Sequence, residues 1–225
     1  MKNKTVIFDL DGTLVDTIAD LGTAVNFALA SKGLPGHETD EYRGMVGHGV
    51  RNLIQLSLPE NLRDDNSTVE QLLGIFLDYY TEHIDVHSRA YPGIPQLLTD
   101  LHEAGVKIAI ASNKFQKGAE KLVRSLFPQI PFAAVCGAQS GMPLKPDPAV
   151  VSGILEKSGG CAEDAVLVGD SGTDIATAAA AGIRSIAVSW GFRPKESLKD
   201  ADCIVDSADE LRALLLPSDA SAAVN

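Results

Sequence analysis

Short runs of β-branched and apolar residues recur along the chain, at Thr5–Phe8, Val106–Ala111, Phe132–Cys136, Ala165–Val168, Ser185–Val188 and Cys203–Val205, and each gives way to polar or Gly-rich residues. Stretches with helical character separate most of them. Parallel strands need a crossover of a dozen or more residues, and the alternation supplies one repeatedly. The pattern predicts an α/β fold with a doubly wound, Rossmann-like parallel sheet. Val106–Ala111 is apolar throughout, as suits a strand covered on both faces. Helix boundaries agree. Leu97, Leu98 and Leu101 form an apolar stripe that ends at Gly105. Asp147-Pro148 reads as an N-cap followed by proline in the first turn. Ser207 with Glu210 reads as a capping box before Leu211–Leu216. The small, polar tail after Pro217 is expected to fray.

One region breaks the alternation. No good strand is visible from about Asp16 to about Tyr91. Ile18, Leu21, Val25, Ala28 and Leu29 give one helical stripe, and Leu72, Leu73, Phe76, Tyr79, Tyr80 and His83 give another. Gly44–Gly49 is a Gly-rich bend between helical segments. The expected organisation is an all-helical cap over residues 16–90, inserted into a discontinuous α/β core of residues 1–15 and 91–225, with Tyr91-Pro92-Gly93 as the return hinge.

In an open α/β sheet, ligands bind beyond the carboxyl ends of the strands. After the first strand comes Asp9-Leu10-Asp11-Gly12-Thr13. After Val106–Ala111 come Ser112, Asn113 and Lys114. After Ala165–Val168 comes Gly169-Asp170-Ser171-Gly172-Thr173-Asp174, and Lys145-Pro146-Asp147-Pro148 lies between. Carboxylates gathered at one edge repel one another, and a hard divalent cation with oxygen ligands relieves that repulsion. Mg²⁺ fits, with Asp9 and Asp170 as its carboxylate ligands and Asp174 ordering its waters or Lys145. Asp9 and Asp11 are two apart, so both point to one side of an extended chain. Asp9 can attack phosphorus as the nucleophile, and Asp11 can serve as general acid and base. The Ser112 hydroxyl and nearby backbone N–H groups, with Gly12 and Asn113 as candidates, can hold phosphoryl oxygens. Lys145 can neutralise the charge that otherwise repels Asp9.

The net charge of −11 disfavours nucleic acid and anionic membrane as partners, since both need clustered Lys and Arg. It also requires that any anion site be built locally from a metal and a few basic residues. Cys136, Cys161 and Cys203 are odd in number and widely spaced, which predicts buried or half-buried thiols rather than disulfides or zinc. No signal peptide and no apolar run near the roughly 20 residues of a membrane span is indicated, so cytoplasmic residence is expected.

These motifs, in this order, resemble the haloacid dehalogenase superfamily of phosphatases with a type 1 helical cap. The resemblance runs through Asp9-Leu10-Asp11-Gly12-Thr13, Ser112, Lys145, and Gly169-Asp170 through Asp174. Within it, Phe8 through Asp16, the loop Val46-Gly47-His48-Gly49, Tyr91-Pro92-Gly93 and Lys145-Pro146-Asp147-Pro148 are similar to the phosphoglycolate phosphatase group. The resemblance implies hydrolysis of phosphoglycolate or a similar small phosphomonoester through an aspartyl phosphate on Asp9. It also implies a Mg²⁺ contact from the Asp11 main-chain carbonyl. Gly47, His48, Gly49 and Arg51 would belong to a loop that closes over the substrate. Asp11 argues against a dehalogenase, which lacks that second aspartate.

Pyrophosphate hydrolysis and phosphosugar mutase chemistry are alternatives on the same scaffold. A phospho-accepting signalling module is a non-enzyme alternative, against which Asp11 and the large cap speak. The expected partner is a small phosphorylated metabolite, and the expected state a monomer or homodimer. Lys114 is expected at the surface. His37, His83, His87 and His102 are expected to be structural or solvated, and Tyr79-Tyr80 to form cap core.

Overall fold

The computed structural model describes residues 4–216; the tail after Pro217 lies outside them. The chain starts with β1 (Thr5–Phe8), whose four residues are all buried. It leaves through β2 (Val15–Asp16) into three α-helices, α1 (Ile18–Ala30), α2 (Val50–Ser57) and α3 (Asn66–Glu82), and returns along β3 (Arg89–Ala90). β2 and β3 pair antiparallel, Val15 opposite Ala90 and Asp16 opposite Arg89. This ribbon sits at the edges of the region read as strand-free, and two residues per strand are too few to show an alternation.

The regular alternation follows: α4 (Ile94–Glu103), β4 (Lys107–Phe115), α5 (Gln116–Leu126), β5 (Ala134–Ala138), α6 (Ala149–Ser158), β6 (Ala165–Gly169), α7 (Gly172–Ala181), β7 (Arg184–Val188), β8 (Cys203–Val205) and α8 (Ala208–Leu215). Six strands form one sheet in the order β5-β4-β1-β6-β7-β8, and every pairing in it is parallel. Successive strand residues face opposite ways. Val6, Phe8, Ile108, Ile110, Val166 and Val168 thus enter one core, closed by Leu97 and Leu101 of α4, Leu122 of α5 and Leu211 of α8. Ile7, Ala109, Ala111 and Leu167 enter another, against Val151 and Ile154 of α6 and Ala178 of α7. The doubly wound reading is correct.

The helical stripes read from the sequence also pack as expected. Leu21 and Val25 of α1, Ile54 of α2, and Leu72, Phe76 and Tyr80 of α3 are buried in the same cluster as Phe8 and Leu10. Asp20 of α1 is 3% exposed. Its carboxylate accepts from the backbone N–H of His87 and Ser88, at 3.0 and 2.8 Å, and from the Ser88 hydroxyl at 2.7 Å. One buried anion, satisfied by three donors, therefore pins the point where the chain returns to the sheet.

Some boundaries differ in detail. Ser207 accepts from the Glu210 N–H at 3.2 Å, but Glu210 Oε2 reaches the Asp206 N–H at 2.9 Å rather than that of Ser207, so only half of the capping box forms. β4 runs on to Phe115 and takes in Ser112, Asn113 and Lys114, with a break in its register against β5 between Ala111 and Phe115. An irregularity of this kind re-aims side chains near a sheet's functional edge. Cys136 and Cys203 are half-buried and unpaired; Cys161 is exposed rather than buried. No helix among the described residues is long and apolar enough to cross a membrane. β1 has β4 on one side and β6 on the other, so the winding reverses there. The crevice beyond the carboxyl ends of β1, β4 and β6 is where such a sheet binds ligands.

Candidate active site

Asp9 follows β1 directly and continues its ladder, its N–H donating to the Val168 carbonyl at 2.8 Å. Its Oδ1 accepts from the Leu10 N–H at 2.7 Å and lies 3.0 Å from Lys145 Nζ. Asp11 accepts from the Thr17 hydroxyl at 2.7 Å and from Lys114 Nζ at 3.1 Å. Both carboxylates line one pocket, as their spacing predicts. The loop between β1 and β2 must turn under Asp170, and Gly12 makes that possible. Gly12 has φ +85°, and a Cβ there would stand 2.5 Å from Asp170 Oδ2. Gly191 approaches from the other side, where a Cβ would meet Asp170 Cβ at 2.2 Å. Gly12→Ala combines a left-handed backbone with this clash and should cost about 1–3 kcal/mol, read as a lower urea midpoint at unchanged slope. An unchanged midpoint would show that Asp170 is not confined there.

Asp170 follows β6 directly and is 4% exposed. Its Oδ2 accepts from the Phe192 N–H at 2.7 Å, and Oδ1 faces the Thr13 hydroxyl at 3.4 Å. Asp174, in the first turn of α7, has both oxygens engaged. Oδ1 meets Lys145 Nζ at 2.6 Å, and Oδ2 accepts from the Ser171 hydroxyl at 2.6 Å. Lys145, 4% exposed, thus bridges two carboxylates. Asp9, Asp170 and Asp174 form one group in which one carboxylate oxygen from each lies within 4.8 Å of the others.

The electrostatics follow from this crowding. Burial raises the Asp9 carboxyl to about 7 against the opposing pull of Lys145, with the charges of Asp174 and Asp11 pushing the same way as burial. Burial, then the neighbouring Asp174 and Asp9, raise Asp170 to about 8. Burial pulls Lys145 down, but Asp174 and Asp9 outweigh it and hold the ammonium above its ordinary range. Ionised, the three carboxylates and one ammonium carry a net charge of −2. That charge, and oxygen donors in this number, fit a hard divalent cation. Asp174 already has its two oxygens on Lys145 and Ser171.

The remaining candidates divide. Ser112 is buried in the pocket wall, and its Oγ accepts from the Lys114 N–H at 3.2 Å. Asn113 also lines the pocket, but both donors of its amide are used in a clamp. Nδ2 donates to the carbonyls of Gly47 and Lys145 at 2.8 and 3.1 Å, and Oδ1 accepts from the Lys145 N–H at 2.9 Å. Gly47 and Gly49 line the pocket with Val46 and Val50, whereas His48 is exposed and outside that lining. Arg51 turns away into the helical layer, pairing with Glu70 and donating to Asn66 at 2.8 Å.

Lys114 is not at the surface. Its side chain is 1% exposed, and its ammonium joins Asp11 to the Tyr80 hydroxyl, the latter at 2.7 Å. Tyr80 is core, as expected, and also a pocket-side polar contact. Ser112 and Lys114 are two apart in a strand, a spacing that points both to one face; that signal was available. Arg193 and Phe192, beyond β7, also line the pocket, and Arg193 donates to the carbonyls of Arg43 and Val46. The strand-end rule, applied after Val188, would have found them.

Comparison with known proteins agrees with this geometry. A family model described as haloacid dehalogenase-like hydrolase matches residues 6–188. A phosphoglycolate phosphatase of Mesorhizobium japonicum is 38% identical over 193 residues, 85% of each chain. One from Caulobacter vibrioides is 35% identical over 210 residues, 92% of this chain and 88% of its own. The crystal structure of a Lactobacillus delbrueckii subsp. bulgaricus protein, provisionally named a phosphoglycolate phosphatase, superposes with a TM-score of 0.88 at 32% identity, covering 96% of this chain and all of that one. With its sheet order, its carboxylates at the switch point and relatives matching along most of its length, this chain belongs to the haloacid dehalogenase-like hydrolase family.

Proposed function

We propose that this hydrolase, a phosphoric monoester hydrolase by class, removes phosphate from phosphoglycolate or a close small analogue, with Mg²⁺, through a phosphorylated Asp9. The observation that carries this is the placement of Asp9 Oδ1 3.0 Å from Lys145 Nζ, beside Asp11, at the sheet's switch point. The ammonium lowers the cost of bringing an anionic phosphoryl group to a carboxylate. Asp9 attacks phosphorus and the ester oxygen leaves, taking a proton from Asp11. Asp11 then accepts a proton from the water that opens the aspartyl phosphate, returning Asp9 as a carboxylate and releasing phosphate. The Ser112 hydroxyl supports a phosphoryl oxygen. Asp9, Asp170 and the Asp11 main-chain carbonyl would hold the Mg²⁺, whose contribution is charge neutralisation at the phosphoryl oxygens. Residues 16–90 serve as the cap, and Gly47 and Gly49 let its loop approach the substrate.

The choice of phosphoglycolate rests on the relatives, several of which bear that name. The test is a substrate panel of phosphoglycolate, pyrophosphate and hexose phosphates, with and without EDTA. Phosphoglycolate should exceed the others in kcat/KM by about tenfold or more, and EDTA should remove activity that excess Mg²⁺ restores. Preference for pyrophosphate, or phosphoryl transfer back to sugar, would replace the substrate assignment. Stoichiometric phosphate uptake without turnover would overturn hydrolysis altogether.

A further inference from the structure

We propose that Lys114 anchors a second anionic group of the substrate, a carboxylate held one or two carbons from the ester oxygen; this rests on the phosphatase reading above and names the residue that makes it selective. Lys114 lines the pocket beside Asp11, and its side chain is almost wholly buried. An ammonium has three N–H donors and no acceptor. Asp11 faces it with both oxygens, Oδ1 at 3.1 Å and Oδ2 at a longer 3.4 Å, and the Tyr80 hydroxyl takes a donor at 2.7 Å. The Tyr80 ring centroid lies 4.6 Å from the same nitrogen.

Lys145 shows how a buried ammonium in this site is satisfied, with carboxylates at 3.0 and 2.6 Å. Lys114 has one carboxylate, itself shared with Thr17 at 2.7 Å, and a neutral phenol. A substrate carboxylate would complete the arrangement that Lys145 already displays. The other basic residue in the lining, Arg193, has both Nη atoms on the carbonyls of Arg43 and Val46. Leu21, Val50, Leu53 and Phe192 are apolar members of the lining and offer a carboxylate nothing in place of water. In that lining a charge-assisted hydrogen bond to Lys114 discriminates strongly between an anionic and a neutral tail. Because Tyr80 belongs to α3, the same contact joins the helical insertion to the sheet.

The test is kcat/KM of wild type and Lys114→Met for two matched pairs, phosphoglycolate with ethyl phosphate, and 3-phosphoglycerate with glycerol 3-phosphate. Wild type should favour the carboxylated member, and Lys114→Met should shrink that preference, read as the ratio within each pair, by about 10- to 100-fold whatever it does to the absolute rates. Equal loss on both members would show that Lys114 positions Asp11 or the reacting phosphate only; the inference would fall and the substrate assignment would stand. A wild-type preference for another carboxylated ester, erased by the substitution, would sustain the inference and remove phosphoglycolate. No wild-type preference for carboxylates would overturn both. If Lys114→Met does not fold, the same ratios are read on Lys114→Gln, which keeps a donor for Asp11. Competition by 3-phosphonopropionate against propylphosphonate on wild type gives the carboxylate preference independently of any variant, and equal inhibition by the two would overturn it.

Discussion

Replacing Asp9 by asparagine should lower turnover by about 10⁴- to 10⁶-fold in a protein that still folds. The amide cannot form the acyl phosphate, yet its oxygen can still accept from the Leu10 N–H that now lies 2.7 Å from Oδ1. Stability should respond in a way that loss of a structural residue would not produce. In the metal-free protein, burial raises Asp9 from an ordinary value of 3.8 to about 7, and Asp170 from 3.8 to about 8. The folded state therefore holds these protons more tightly than the unfolded chain does. The stability they contribute is present in full below about pH 4 and drains away as pH rises towards 8. Metal-free wild type should melt at a lower temperature at pH 8 than at pH 5.5, Mg²⁺ should raise Tm more at pH 8, and Asp9→Asn should flatten part of the metal-free slope. Thermal scans at the two pH values, with and without Mg²⁺, check this. Wild-type-like turnover in a folded Asp9→Asn protein would remove Asp9 as the nucleophile.

What could be read from the sequence tracks what is local. β1, β6 and β8 are short apolar runs bounded by polar residues, and their limits in the fold match the runs within a residue. Asp9, Asp170 and the Ser112 segment stand out in the sequence because a parallel sheet presents whatever follows its strands. Lys145 follows no strand closely; its motif alone marks it in the sequence, and the fold brings it to Asp9. Lys114 was misplaced because a lysine is exposed by default, and its partners Asp11 and Tyr80 lie 103 and 34 residues away. Arg51, expected in the loop that closes over the substrate, stands in the first turn of α2. The loop that precedes it borders the pocket, but Glu70 and Asn66, on the neighbouring helix, hold the guanidinium. Where such a side chain points is set by tertiary partners, which no periodicity encodes.

The largest effect on stability is expected from Lys145→Met. One ammonium, 3% exposed, separates Asp9 from Asp174 at 3.0 and 2.6 Å. Its removal leaves like charges facing one another in a desolvated site, with Asp170 in the same group. Breaking a buried pair in this way costs about 3–5 kcal/mol, which should appear as a large drop in the urea midpoint, greatest above pH 7, where the carboxyls must ionise. Turnover should fall by about 10²- to 10³-fold as well, because the phosphoryl group loses a fixed positive charge. The two losses can be separated. Asp174→Asn in the Lys145→Met background removes one of the stranded anions while keeping an acceptor for the Ser171 hydroxyl, which now lies 2.6 Å from Oδ2. The double variant should regain much of the stability and almost none of the activity. If activity returned with stability, Lys145 would be holding the fold together and nothing more, and the electrostatic part of the mechanism would have to be supplied by another cation.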